Sequence, residues 1–323
     1  MPGLTAAITN DGVIKGLSAA HENQTDSHQL ASQIAPFLST GKRLSGKLPD
    51  KDNWRGLDFS VGGDPTVPIT WLAVQSQQVS SAYSYRSWSI DRYPVGQRLV
   101  SDVVDEDVFE GDGFKQSTEA IQDLTARGVD LWLYLILAAV GTSGNYAAGH
   151  ASDPGNLTTP SFALTTNLQS VKQTMIKQGR KVTDVFVAED MVQYIRLNTE
   201  ARSYSGLNSD GQIMNDEHID AFFRSVFGKS CKITVVESVY KSSAGTMTFM
   251  FSGKIAFLST SAGDAKAPAF MRTMVLGDAK SSQIGSVKTK HDVLNGIQTY
   301  QSDACFDLVM QPTSGVLWYG LDS

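Results

Sequence analysis

The chain has 323 residues, of which 41% are hydrophobic and 19% charged, enough apolar material for one large or two medium cores and too little charge for a disordered polymer. A net charge of −6 excludes a protein whose binding energy comes chiefly from neutralising phosphates, since such chains carry dense Lys/Arg clusters. Two isolated cysteines, Cys231 and Cys305, indicate neither a zinc site nor a disulfide framework and read as buried thiols.

The first residues, Met1-Pro2-Gly3 with Asp11 ahead of Lys15, lack the basic-then-apolar order of a signal peptide, so synthesis and residence in the cytoplasm are expected. From Met1 to about Asp50 the chain is rich in Ser, Thr, Asn, Gln and Gly. A short helical pattern at Leu30, Ile34 and Leu38 is interrupted by Pro36, so the segment reads as an extended arm. Residues 58–104 have strand composition, with Thr66–Val74 and then Tyr83, Tyr85 and Trp88, and too few apolar residues for a core of their own. A long two-stranded excursion is expected.

An acidic stretch, Asp102 to Asp112, leads into a helix expected from about Ser117 to Val140, with Ser117 or Thr118 as cap and Glu119 at the positive end of the dipole. The run Leu131–Val140 is apolar on every face, which predicts a helix end enclosed by protein. It is about half of the ~20 residues a membrane crossing needs. Gly141–Pro160 is a loop. Pro160 then suits a first helical position, Leu164, Leu168, Val171 and Met175 share a helix face, and Gly179 closes it.

Val182–Ala188 reads as a strand and Glu189-Asp190 as a helix start, followed by Met191, Val192 and Ile195. Asn215 or Asp216 starts another helix, with Ile219, Phe222, Phe223 and Val226 inward and Gly228 at its end. Lys232–Val239 reads as a strand, and Met247–Phe251 with Lys254–Leu258 as a hairpin across Ser252-Gly253. Phe270–Leu276, Ala304–Met310 and Val316–Tyr319 are the last strands. The class is α+β.

Catalytic chemistry is sought without success. Phe227-Gly228-Lys229-Ser230 has the end of a phosphate-binding loop, but Phe223 stands where its first glycine belongs. Gly141-Thr142-Ser143-Gly144 has its second glycine too early for a nucleophile elbow. The histidines His21, His28, His150, His218 and His291 show no metal-binding spacing, and Asp216, Glu217, His218 and Asp220 are explained by helix capping. Phe109 and Glu110 break a calcium loop in the acidic run. No catalytic residue, metal or cofactor is therefore assigned. Aromatics among Arg86, Arg92 and Arg98 suit stacked bases or a protein interface equally.

The order of elements, above all the helix over Leu164–Ile176, Gly179, Val182–Ala188, Glu189-Asp190-Met191 and Tyr194-Ile195-Arg196, resembles the major capsid proteins of tailed double-stranded DNA phages. The likeness covers about residues 55–300 well and the arm poorly, and encapsulin shells share the architecture. It implies an N-terminal arm (1–55), an extended β loop (56–110), a peripheral domain with a spine helix (111–160) and an axial domain (161–265). Residues 266–302 return to the peripheral domain, and 303–323, with Ala304–Tyr319 as a strand pair, return to the axial one.

Function would then be assembly of pentamers and hexamers into an icosahedral virion shell in the bacterial cytoplasm. The implied partners are other copies of the chain, portal, scaffold and decoration proteins, and packaged DNA bound without sequence specificity; no membrane is involved. Candidate contacts between subunits are Trp71, Tyr83, Tyr85, Arg86, Trp88, Arg92 and Tyr93. Since no lysine lies between Lys51 and Lys115, lysine-to-asparagine welding of the shell is not expected. Too little chain precedes the β loop for a cleaved scaffold segment, so a separate scaffold protein is expected. The competing readings are an encapsulin-like compartment and a cytoplasmic hydrolase.

Overall fold

The computed structural model describes residues 26–50, 84–101, 112–207, 214–243, 245–260, 269–277, 285–292 and 297–322. Trp71, Tyr83, the Thr66–Val74 stretch and most of the acidic run lie outside them.

The arm's apolar pattern forms α1, Asp26–Ile34, which ends before Pro36 as the missing amide dictates. Strand β1, Phe37–Ser39, then runs parallel to β11, Met271–Val275. Helix α2 covers Asp112–Val140 and, at 29 residues, is about 43 Å long. It starts at Asp112, five residues before the expected caps. Its apolar half is not enclosed on all sides: Arg127, Asp130, Tyr134 and Ala138 make an exposed stripe at i, i+3, i+7 and i+11. The inward face carries Trp132, wholly buried, stacked on Phe37 at 4.9 Å. Its Nε1 donates to Thr273 Oγ1 at 3.2 Å, and that hydroxyl donates to the carbonyl of Ala35, so α1, β11 and α2 are tied together at one point.

The first sheet is built around β13, Ile297–Met310. Strand β4, Asp91–Ser101, lies along one flank; β11 and then β12, Gly285–Asp292, lie along the other, all antiparallel to it. Phe306 faces Val275 and Asp91, and Ala304 faces Gly285 and Tyr93, so β11 and β12 occupy one lane in succession. Beside this sheet, β2 (Ser45–Asp50) pairs with β3 (Ser84–Ser89).

The second sheet has the order β5 (Ala151–Ser152), β14 (Gly315–Trp318), β10 (Ile255–Leu258), β6 (Asp184–Ala188), β7 (Lys232–Val236). Strands β6, β10 and β14 are buried at every position, which accounts for the apolar runs that follow Asp184 in β6 and fill β10 and β14. The parallel step from β6 to β7 passes through α4 (Glu189–Leu197), α5 (Thr199–Tyr204) and α6 (Asp216–Phe227). Helix α3, Leu164–Lys177, buries the four expected residues, but it begins at Leu164 and not at Pro160. The Pro160 carbonyl instead accepts from the amide of Thr199 and from Nδ2 of Asn198. Gly179 closes α3 at φ 67.

Two strand expectations are corrected. Met247–Phe251 and Lys254–Leu258 are not a hairpin: β9 (Met247–Phe249) pairs with β8 (Val239–Lys241), while β10 goes between β6 and β14. Ile255-Ala256-Phe257-Leu258 has no polar side to leave in water, so it takes a central place. Ala304–Met310 and Val316–Tyr319 are not a pair either. The former belongs to β13 in the first sheet, and the chain crosses to the second only through the turn Pro312–Ser314.

Candidate functional site

The arginine- and aromatic-rich stretch occupies β3 and β4, and the structure shows what holds it. In β3 the residues Arg86 and Trp88 lie opposite Leu48 and Gly46 of β2. Trp88 is 7% exposed and packs with Leu48, Met274 and Val309, bordered by Leu38 and Ile90. Such close approach requires glycine opposite: a Cβ on Gly46 would fall 2.5 Å from Trp88 Cζ2. The indole therefore serves its own chain and has little surface left to anchor a neighbour. Tyr85 is placed by backbone pairing with Pro49, and Arg86 is half-buried.

Further along, Arg92, 49% exposed, meets Asp303 at 2.7 Å, and Asp303 is fully buried where the pairing of β4 and β13 shifts register at Ser302/Asp303. The hydrogen bond from Arg92 to this carboxylate holds the guanidinium above its ordinary value. Nε2 of Gln301 donates to the other oxygen of Asp303 at 3.3 Å. Tyr93 stacks obliquely on Phe306 at 4.9 Å, and its phenol is pushed up by burial and then by the charges of Asp91 and Asp307. Asp307 in turn accepts the amide of Ser89 at 2.8 Å. Three independent contacts thus fasten β3 and β4 to β13. They bring Arg86, Trp88, Arg92 and Tyr93 to one region whose chemistry is attachment.

Among the described residues, several groups of a kind that carries reactions elsewhere have structural duties. His150, 2% exposed, bonds through Nδ1 to the carbonyl of Gly315 at 2.8 Å. His218 forms a capping box with Asn215 at the start of α6, where Asp216 also pairs with Arg196 at 2.6 Å and Asp220 with Arg224 at 3.1 Å. Gly228-Lys229-Ser230 is the turn from α6 to β7, with Phe223 wholly buried above it. Thr142 Oγ1 donates to Ala138 at 2.7 Å and so finishes α2. Burial pushes the Cys231 thiol up to about 12, far from a reactive thiolate. Among the described residues, no group of three His, Cys, Asp or Glu could hold a metal, and no helix is long and apolar enough to cross a membrane.

What sequence reasoning missed is an apolar outer surface on β8 and β9. Val239, Tyr240, Met247 and Phe249 are 36–61% exposed, and Tyr134 on α2, 43% exposed, meets Tyr240 edge to face at 5.8 Å. The signal was present: Val239–Lys241 and Met247–Phe249 flank the polar Ser242–Thr246 turn.

No family model and no curated protein matches the sequence. Solved structures do. A phage-related protein from Bordetella bronchiseptica superposes with a TM-score of 0.67 at 10% identity, over 95% of this chain and 96% of that one. The capsid of the cyanophage P-SCSP1u gives 0.50 at 11% identity, over 89% of this chain and 86% of that one. The chain has the α+β fold of phage capsid-shell proteins.

Proposed function

We propose that this chain is the major capsid protein of a tailed double-stranded DNA phage, a structural subunit and not an enzyme, forming the pentamers and hexamers of an icosahedral shell. The observation that carries this reading is the fold shared with the cyanophage P-SCSP1u capsid over 89% of the chain. In this reading the first sheet with α2 forms the peripheral domain, and the second sheet with α3 to α6 forms the axial one. Residues 56–110 remain the proposed extended loop, of which β3 and β4 are the described part. Trp71, Tyr83, Tyr85, Arg86 and Arg92 remain proposed contacts with neighbouring copies, while Trp88 and Tyr93 position the loop through their own chain's core.

The remaining proposals follow from the same role. The partners are further copies of the chain, a portal, a scaffold and decoration proteins. The shell forms in the bacterial cytoplasm and encloses DNA that it does not read, which suits an acidic chain without dense basic clusters. Electron microscopy of the expressed protein tests the proposal: closed shells of uniform size are expected. Small particles at every concentration and salt, with or without co-expressed phage scaffold, would refute it.

A further inference from the structure

The 14-residue strand β13 pairs with β12 without interruption through Ser302, opposite Val287, and Asp303, opposite Ser286. On its other flank the ladder slips: Ser302 faces Gly96 and Asp303 faces Pro94, so Val95 is an extra residue of β4. Such a β-bulge bends the strand that carries it and tightens the local twist. The residues suit it, since Pro94 has no amide to give to the ladder and Gly96 tolerates backbone angles that other residues resist.

A clamp closes on this point from both sides. Asp303 is fully buried, on the face of β13 away from the core residues Ala304 and Phe306. Arg92, opposite Cys305 on the side of the bulge where β11 joins β13, reaches diagonally to one oxygen of that carboxylate at 2.7 Å. Gln301, opposite Gln97 beyond the bulge, donates from Nε2 to the other at 3.3 Å. A buried ion pair is a poor way to stabilise a fold, because apolar residues of the same volume do as well or better, and its best-attested use is to fix a register. Position gives that register leverage. The part of β13 beyond the bulge, residues 297–302, is about 20 Å long, so a change of about 10° at its root carries the tip about 3 Å. That is most of the ~4 Å at which packed atoms stand.

From this geometry we infer that Asp303, held between Arg92 and Gln301, is a positioning residue: it pins the bulge at Val95 and so fixes the angle at which the outer part of the first sheet leaves the body of the subunit. That angle sets how neighbouring copies meet and which shell closes. The inference rests on the shell reading, in which closure depends on the rotation between one copy and the next.

The test compares the wild-type chain with Asp303→Leu, which fills the same space without the clamp, and with deletion of Val95, which removes the bulge and leaves Asp303 in place. In free Asp303→Leu subunits the melting temperature should stay within about 2 °C of wild type or rise, as replacement of a buried ion pair by an apolar side chain predicts. Amides of residues 97–101 and 298–302 should nevertheless exchange about tenfold faster there, because the register is no longer pinned. By electron microscopy, both variants should yield about tenfold fewer closed shells of the wild-type diameter, the rest being shells of other sizes or open sheets. Three results overturn the inference and leave the shell reading standing: shells of wild-type size and yield from either folded variant, unchanged exchange in Asp303→Leu, or a melting temperature about 5 °C or more below wild type in Asp303→Leu, which would make Asp303 a residue of stability alone. A wild-type chain that never assembles overturns the shell reading, and exchange in the free subunits still decides whether Asp303 pins the bulge.

Discussion

Gly46 and Trp88 allow a test of the packing beneath β3. A Cβ added at Gly46 would lie 2.5 Å from Cζ2 and 2.8 Å from Cε2 of the Trp88 ring, about 1 Å inside ordinary contact. Gly46→Ala must therefore push the indole off Leu48, Met274 and Val309, a crowding that costs roughly 1–3 kcal/mol. Trp88→Ala empties the same space and costs about 3 kcal/mol, the low end for a large core aromatic because the cluster is small. Combined, the two changes are not additive. With the ring gone the methyl added by Gly46→Ala loses its three nearest neighbours, and the smaller unfolded-state entropy of alanine adds back about 0.5 kcal/mol. The coupling between the sites is then about 2 kcal/mol. Urea unfolding of unassembled subunits, followed by circular dichroism for all four proteins, measures it. Equal costs for Gly46→Ala in both backgrounds, within ~0.5 kcal/mol, would show that Trp88 does not fill this space.

Asn198, wholly buried, accepts the amides of Glu200 and Ala201 and donates to the carbonyls of Pro160 and Phe162. Asn198→Ala removes both a helix cap and a loop clamp, so a loss of about 3 kcal/mol is expected in the same urea assay. Arg92→Ala removes the cation that faces the buried Asp303 carboxylate and should lower the melting temperature, with Asp303→Asn added to it restoring part of the loss. Cys231 is raised from 9.0 to about 12, so the folded chain keeps a proton that the unfolded chain releases. Its contribution is unchanged below pH 9 and falls as pH rises from there towards 12, and stability measured over that range should fall less steeply in Cys231→Ala. Tyr146 stacks on Phe270, donates to the Val140 carbonyl at 2.8 Å and is raised well above 10 by burial. Tyr146→Phe should cost about 1 kcal/mol near neutral pH by thermal unfolding.

The helices and fully buried strands were legible in the sequence where one face or one run had a single possible place. Leu164, Leu168, Val171 and Met175 on α3, the Asn215 cap and Val185-Phe186-Val187 all stand where their spacing puts them. Elements made by distant pairing were hidden. Ser45–Asp50 contains Gly46 and Pro49 and has little strand character, becoming β2 only because Ser84–Ser89 lies beside it. Ser252-Gly253 marks a turn correctly, but no local rule says that the strand after it seeks β6, about 70 residues earlier. The same limit governs the contact residues: an aromatic at Trp88 looks alike in a sequence whether it faces a neighbour or, as here, Met274 and Val309.

The lanes around β13 have a mechanical side. Any tension along that strand loads the ladders to β4 and to β11 and β12 together, in shear, so that many hydrogen bonds must yield at once and none can be unzipped singly. The short pairing of β8 with β9 has no such reserve and would peel from its end, bond by bond. Under load, stiffness would therefore reside in the first sheet and compliance in the small hairpin.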